Sequence, residues 1–528
     1  MYVALVTTCM VLCTTGCQGM ALSRAKAYEE LRAAIVDAEA SYRLGGKVFL
    51  NTDELRADVK LRAMKRNELQ PSDRGQPVPA EMHFFDAKPS IENSSMFGAL
   101  KLMPKGAILH LHSTAAVSSR WVIRNLTYRH EAKLCSVEDR YYFTVRTPIN
   151  CPANRTRLIS DMRKERHQDV AAFDEWLEQL INMKLKPSRN GHATIDVLWM
   201  EFESCFDALR GFLQYKPFFE AYHAQLLKEF HDDNVYYMEL RTSLFKLYDA
   251  DGKEYGSPEV AYILHRLVED FRRHNPTFHG VKLILAKHKN MSDAELASAL
   301  KLYESLSNTF PGFVIGFDLV GQEDVNRSLR SFASLLQQPP ITSGPPTYFF
   351  HAGETGKRFP ELISNVETFR IFAVGYIAEA DQNVIDAVLL DTKRIGHGYA
   401  LLKHPILWHA VRRKQLVLEV CPISNQVLGL VRDLRNHPAS FYVAQNIPIA
   451  ITSDDPGFWD AVGVTFDYYY AFMAIAPQAG LGFLKQLVWD SIRYSALSDE
   501  ERQNITRTME RQWALFVREI ARDDGAGN

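Results

Sequence analysis

The sequence predicts an α/β protein built as a (β/α)8 barrel of the TIM type, with a helical arm before it and an inserted, disulfide-bridged subdomain after its first strand. Three observations carry that prediction. From residue 106 onward eight short apolar runs recur, each closing on a polar or chemically reactive residue. Most intervals between them hold apolar residues at helical spacing. One interval, after the first run, is about 120 residues long, far beyond an ordinary barrel connection.

The chain opens on the apolar stretch Val3-Ala-Leu-Val-Thr-Thr-Cys-Met-Val-Leu-Cys13. Its length suits a secretory signal over residues 1–20 and is too short to span a bilayer; no Lys or Arg precedes it, and a buried N-terminal helix is the alternative. Residues 21–103 read as a helical arm outside the main core. Tyr28, Leu31, Ile35 and Tyr42 mark one helix, ended by Gly45-Gly46. A second starts at the cap Asn51-Thr-Asp-Glu54 and runs through Leu55, Val59, Leu61 and Met64.

The barrel is assigned to residues 104–124 and 186–520. Its strands are expected at 106–113, 235–241, 281–288, 314–321, 347–354, 394–398, 416–421 and 447–455, with helices such as Ser257 to His274 and Ser292 to Phe310 between them. Residues 125–185 are the insertion, a polar and strand-poor stretch. It contains Cys135 and Cys151, natural disulfide partners in an oxidising compartment. Cys9, Cys13 and Cys17 would leave with the signal; Cys205 and Cys421 sit in apolar surroundings as buried thiols. Six Asn-x-Ser/Thr sequons, at Asn93, Asn125, Asn154, Asn290, Asn326 and Asn504, lean toward secretion.

With 46% hydrophobic residues and a formal net charge of −2, the chain is an ordinary globular protein without the basic footprint of a nucleic-acid binder. Its chemistry is concentrated at the ends of the runs. His110 and His112 stand two apart, so one strand end can aim both imidazoles at a single ion. His351-Ala-Gly-Glu354, Arg394-Ile-Gly-His-Gly398 and Thr452-Ser-Asp-Asp-Pro456 close runs of their own. His110, His112, His351 and Asp454 make a borderline ligand set that suits Zn²⁺ and leaves a position for water. Glu354 is placed as a proton donor, and His397 and Asp455 could orient or deprotonate that water. Taken singly, each has a structural alternative: Glu354 a helix-start carboxylate, His397 a core histidine, Asp455 a cap before Pro456.

From about residue 25 to 520 the sequence resembles the adenosine deaminase family, and within it the secreted branch, the adenosine deaminase growth factors. The resemblance rests on Lys105-Gly-Ala-Ile-Leu-His-Leu-His112, Gly316-Phe-Asp-Leu-Val-Gly-Gln-Glu-Asp324, Tyr348-Phe-Phe-His-Ala-Gly-Glu-Thr355, Arg394-Ile-Gly-His-Gly398, Glu419-Val-Cys-Pro-Ile-Ser-Asn-Gln426 and Ser453-Asp-Asp-Pro456. It implies one zinc per subunit on His110, His112, His351 and Asp454. It makes Glu354 the acid that protonates purine N1, and sets His397 and Asp455 beside the attacking water. Gly321 would meet purine N3 through its backbone N–H, with His288 and Trp199 in the nucleoside pocket. The implied reaction is hydrolytic deamination of adenosine and 2′-deoxyadenosine to the inosine nucleoside and ammonia, in a secreted homodimer whose insertion meets a cell-surface receptor or glycan. The His-x-Glu and Pro-Cys-x-x-Cys pair of the base deaminases acting on nucleic acid is absent.

Two rival functions follow from the same residues. A nucleotide deaminase would want Arg or Lys at the barrel mouth, where the runs carry mainly acidic and neutral residues. A growth factor that signals through the insertion, with little or no catalysis, would not need the intact ligand set. The chain also departs from its relatives. Where they commonly place Asp directly after the second metal histidine, it has Ser113, expected to offer ribose a shorter, neutral partner.

Overall fold

The computed structural model describes residues 21–72, 75–138, 140–146, 151–166, 169–187, 193–338, 346–355 and 379–522. The expected signal over residues 1–20, with Cys9, Cys13 and Cys17, lies outside them. Strand β1 (Gly106–His112) is buried along its length apart from half-buried His112, as a run covered on both faces must be. Three short strands follow in the insertion: β2 (Lys133–Val137), β3 (Arg140–Thr144) and β4 (Thr156–Leu158). Next come β5 (Val235–Thr242), a small hairpin of β6 (Leu247–Tyr248) and β7 (Glu254–Tyr255), β8 (Gly280–His288) and β9 (Val314–Val320). The last four are β10 (His351–Ala352), β11 (Ile395–His397), β12 (Leu418–Val420) and β13 (Ile449–Ile451).

All eight runs form strands, in two parallel sheets ordered β1-β5-β8-β9 and β10-β11-β12-β13. Isolated parallel bridges join Leu111 to Asp454 and Phe317 to Tyr348 between the ends of the two sheets. The run at 347–354 yields only the two residues of β10 beside the Tyr348 bridge, because Gly353 turns the chain into the left-handed region at φ 68°. Helices Ser257–His274 and Asp293–Thr309 lie where the spacing predicts them.

Two expectations need correction. The second helix of the arm, Thr52–Leu69, is part of the main body. Its cap forms as the sequence suggests, with Asn51 Oδ1 accepting from Glu54 N at 3.0 Å and Glu54 Oε2 accepting from Asn51 N at 2.8 Å. Its buried stripe, however, is Ala57, Leu61 and Lys65, while Leu55 and Val59 are 53% and 66% exposed. Trp513 Nε1 of helix Asp499–Ala521 donates to Glu54 Oε1 at 2.7 Å, and Lys65 Nζ donates to the carbonyls of Phe472 and Ala479 at 2.8 and 2.9 Å. Only helix Ala21–Tyr42 stands off the body, with Tyr28, Val36 and Tyr42 exposed.

The insertion is not strand-poor either. Strands β2, β3 and β4 form an antiparallel sheet in the order β3-β2-β4, and Cys135 sits on its central strand, disulfide-bonded to Cys151. Half-exposed strands of three to five residues are too short to stand out as apolar runs, which is why the stretch reads as irregular. The sheet is anchored to the body where Phe143 stacks on Phe212 of helix Ile195–Leu213, ring centroids 4.9 Å apart. Cys205 and Cys421 are buried free thiols. Among the described residues no helix is long and apolar enough to cross a membrane.

Candidate active site and metal centre

Strand alternation brings His110 and His112 to the same end of β1 with ring centroids 5.4 Å apart, and His351 on β10 packs against His110 at 4.4 Å. Asp454 arrives from beyond β13 in a left-handed conformation, φ 60°. It is pinned by Asp454 N donating to the His110 carbonyl at 3.2 Å and His112 N donating to the Asp454 carbonyl at 3.0 Å. One Asp454 carboxylate oxygen then lies 3.2 Å from His110 Nε2 and 3.1 Å from His112 Nε2. One ligand atom from each of His110, His112, His351 and Asp454 falls within 4.8 Å of all the others. The structure thus brings together the four residues that the sequence singles out.

Two of these atoms, His110 Nε2 and Asp454 Oδ1, are buried without a hydrogen-bond partner. Buried polar atoms in that condition that face one another call for an occupant such as a water or an ion. The far side of each ring is engaged: His110 Nδ1 donates to Glu419 at 2.8 Å, and His351 Nδ1 donates to Asp318 at 2.7 Å. A proton held at Nδ1 turns the Nε2 lone pair inward, the arrangement that orients histidines on a metal. Burial pushes His351 down to about 3 and lowers His112 as well, so both are neutral ligands. His110 is the exception. Burial and Arg241 pull it down, but Asp454 and Glu419 on either side hold it above its usual value. A cation at Nε2 takes the place of that proton. Three imidazole nitrogens and a carboxylate oxygen fit zinc. Cys421 groups with His110, His397 and Asp454 in an overlapping set, but burial pushes its thiol well above the usual range, leaving it protonated and a poor ligand.

Above these donors opens a cavity of about 580 Å³, lined by His112, His351, Glu354, Asp454 and Asp455. Trp199, Phe202 and Phe206 of helix Ile195–Leu213 form one wall, and His288, Gly321 and Ser113 also line it. Every pocket residue named from the sequence therefore reaches the same space. The cavity lining also includes Arg210, which lies outside the apolar runs, and Lys287, a cation within the run at 281–288; Arg210 is ion-paired to Asp207 at 3.0 Å and Lys287 donates to the Ser243 carbonyl at 2.9 Å. Gly321 has φ 104°, and a Cβ there would meet His288 Nε2 at 2.4 Å, so the approach of this imidazole demands glycine.

Burial, reinforced by the Asp454 and Glu323 carboxylates, pushes Glu354 well above the usual carboxyl range. That shift favours its protonated form. Burial likewise raises Asp455, with Asp454 adding to it, while the His110 and His112 imidazoles hold Asp454 well below its ordinary value against the cost of burial. Glu354 Oε1 lies 3.3 Å from His397 Nε2, and His397 Nε2 and Asp455 Oδ1 are buried with no hydrogen-bond partner of their own.

Several residues that hold this geometry were not assigned roles from the sequence. Glu323 accepts from Gly353 N at 2.7 Å and Glu354 N at 3.2 Å, and its buried partner Lys289 also donates to the His351 carbonyl at 3.1 Å. Arg241 joins Asp318 and Glu419 at 2.7 and 2.6 Å, and Arg394 joins Glu419 at 2.6 Å and Glu239. The available signal was a charge inside an apolar strand, as in Met238-Glu239-Leu240, Phe317-Asp318-Leu319 and Leu418-Glu419-Val420, which must find a partner when buried.

Two family models match the chain: "Adenosine/AMP deaminase N-terminal" over residues 7–100 and "Adenosine deaminase" over residues 377–512. The chain is 36% identical to adenosine deaminase 2 of Pongo abelii over 500 residues, 93% of this chain and 94% of that protein. It is also 36% identical to an adenosine deaminase of Lutzomyia longipalpis over 500 residues, 93% of each. Among solved structures it is similar in fold to an amidohydrolase from Burkhoderia ambifaria with bound Zn. That match has a TM-score of 0.53 at 15% identity, covering 81% of this chain and 94% of that one.

The hydrogen bond that orients His351 predicts that Asp318→Asn loosens metal retention by about 10- to 100-fold. Competition with a chromophoric chelator measures it. Unchanged affinity would show that Asp318 does not govern the ligand.

Proposed function

The chain belongs to the adenosine deaminase family, and from that premise we propose that this hydrolytic deaminase is a secreted, zinc-dependent enzyme converting adenosine and 2′-deoxyadenosine to inosine and 2′-deoxyinosine with release of ammonia. The observation that carries the proposal is the convergence of His110, His112, His351 and Asp454 beneath one cavity with buried Glu354 in its lining.

His110, His112, His351 and Asp454 would hold one zinc per subunit, in keeping with the Zn bound in the Burkhoderia amidohydrolase. Zinc bound there supplies Lewis-acid activation of water near neutral pH. Glu354 holds its proton where purine N1 would rest; donating it makes C6 electrophilic and prepares the amino group to leave as ammonia. His397 and Asp455 present their unpartnered buried atoms to the attacking water. The Gly321 backbone N–H is assigned to purine N3, Trp199 and His288 to the pocket walls, and Ser113 to the ribose. All four line the cavity.

The two parallel sheets are assigned to a single eight-stranded barrel, a reading supported by the bridges at Leu111–Asp454 and Phe317–Tyr348. In the domain scheme residues 1–20 are the signal, 21–103 the N-terminal region, 104–124 with 186–520 the barrel, and 125–185 an insertion for a receptor or glycan. The uncovered apolar side chains of helix Ala21–Tyr42 support a homodimer through that helix.

The decisive assay follows the absorbance change as adenosine becomes inosine, with and without a chelator. Activity should vanish on metal removal and return with zinc; full activity in metal-free protein would overturn the zinc assignment, and inert adenosine beside a reactive nucleotide would overturn the substrate. Glu354→Gln keeps the shape but loses the proton, so turnover should fall by a factor on the order of 10² or more with zinc retained. Because burial raises the Glu354 pKa, the working protonated form is present at neutral pH and is lost as pH rises through that raised value. The unmutated enzyme should therefore lose rate on the alkaline side, and Glu354→Gln should lack that limb; an unchanged turnover number would move the acid elsewhere. Ser113 is buried and lines the cavity, which supports assigning it to the ribose, so Ser113→Asp should supply a charged ribose partner. A gain of about 1 to 2 kcal/mol lowers KM for adenosine by roughly 5- to 30-fold at near-constant kcat. An unmoved KM would place the ribose contact on other residues.

A further inference from the structure

We infer that Asn425 and His437 are positioning residues that lock His397 into a single tautomer, with its proton on Nε2. The backbone N–H of Ala439 fixes the direction of the relay because it can only donate. It donates to His437 Nδ1 at 3.0 Å, so that nitrogen carries the lone pair and the neutral ring bears its proton on Nε2. His437 Nε2 in turn lies 2.9 Å from Asn425 Oδ1 and donates to it. That contact orients the amide, leaving Asn425 Nδ2 to donate to His397 Nδ1 at 3.2 Å. His397 Nδ1 is thereby an acceptor, and the proton of the neutral imidazole sits on Nε2. All three side chains are 3% exposed or less, so no water competes for these bonds.

The direction matters because Nε2 is the atom that His397 turns into the cavity. It lies 3.3 Å from Glu354 Oε1 and 3.7 Å from Asp454 Oδ2, and has no hydrogen-bond partner. An N–H there can donate to an oxygen in the cavity and stabilise negative charge developing on it, but has no lone pair with which to take a proton from the water. Of the two roles open to His397, orienting the water or deprotonating it, the relay selects the first. Asn425 and His437 do not touch the reacting atoms; they act through the ring. The contrast with His110 and His351 is built into the neighbours. Those rings meet carboxylates at Nδ1 and keep a lone pair at Nε2 for the metal, whereas His397 meets an amide donor at Nδ1 and keeps a proton at Nε2.

This inference rests on the deaminase reading above, and its test separates the two. Nitrogen-15 NMR of the zinc-loaded, histidine-labelled enzyme, with His397 assigned by comparison with His397→Ala, should show an unprotonated Nδ1 and a protonated Nε2. A proton on Nδ1 overturns the inference whatever the activity. Asn425→Asp keeps the shape but offers only acceptors, so it should draw a proton to His397 Nδ1. Its kcat for adenosine should fall on the order of 10²-fold, the loss typical of removing one donor to developing charge, with KM within about threefold. An unchanged kcat overturns the positioning role. A variant that loses KM and kcat together, with the His397 resonances unmoved, shows a packing role and overturns it as well. Absence of adenosine turnover in the unmutated zinc enzyme would instead sink the deaminase reading and leave the tautomer measurement standing.

Discussion

Everything at the centre depends on one buried guanidinium, Arg241. It reaches from the end of β5 to Asp318 on β9 and Glu419 on β12, and donates to the Leu109 carbonyl on β1 at 2.9 Å. Arg394 adds Glu239 and a second contact to Glu419. No charged end in this belt is more than 1% exposed, so each must be paired within the protein. The same two carboxylates that satisfy Arg241 also receive the Nδ1 protons of His351 and His110. The belt therefore couples strand packing to ligand orientation: the charges that tie the strands together also aim the imidazoles. The charge balance points the same way. Glu239, Asp318, Glu419 and Asp454 oppose only Arg241 and Arg394 in this sealed region, and Lys289 is matched by Glu323. A dication at the imidazole nitrogens offsets the excess negative charge that the fold would otherwise have to bury.

The site is also where the backbone is strained. His397 and Asp454, two of the chemically important residues, have φ values of 58° and 60°. A side chain held there costs about 1 to 3 kcal/mol and persists only where its surroundings over-determine it. For Asp454 those surroundings are the paired backbone bonds to His110 and His112; for His397 they include the amide of Asn425 and the β10 pairing of Ala352 with His397. The turn aims each functional group inward at the end of its strand, which a regular continuation of the strand would not do.

Much of this was legible in the sequence, for a physical reason. A parallel strand buried on both faces must be apolar, so a histidine or aspartate closing such a run stands out, and the ligands and Glu354 could be named from that contrast alone. The belt was less legible. Arg241 closes a strand that was recognised, but a lone charge at a strand end looks the same whether it faces water or two carboxylates. Asn425 and His437 were invisible because their function lies in the direction of hydrogen bonds, not in residue type or spacing. Helix Thr52–Leu69 was misplaced because Leu55 and Val59 outweigh Ala57 and the aliphatic stem of Lys65 in any apolar count, although the latter two face the core.

The insertion bears on the choice between enzyme and signalling protein. Its sheet is not a freestanding module hung from a loop. Phe143 stacks on Phe212, and Gly211 beside it must lack a side chain because a Cβ would meet the Phe143 carbonyl at 2.2 Å. The helix that receives this contact, Ile195–Leu213, supplies Trp199, Phe202 and Phe206 to the cavity wall. Insertion and cavity thus share one helix. Deleting the insertion would uncover that helix and disturb the cavity wall, so lost activity in such a variant would not separate a signalling role from a catalytic one. Point changes on the exposed strand faces, which leave Phe143 in place, respect the architecture that couples them.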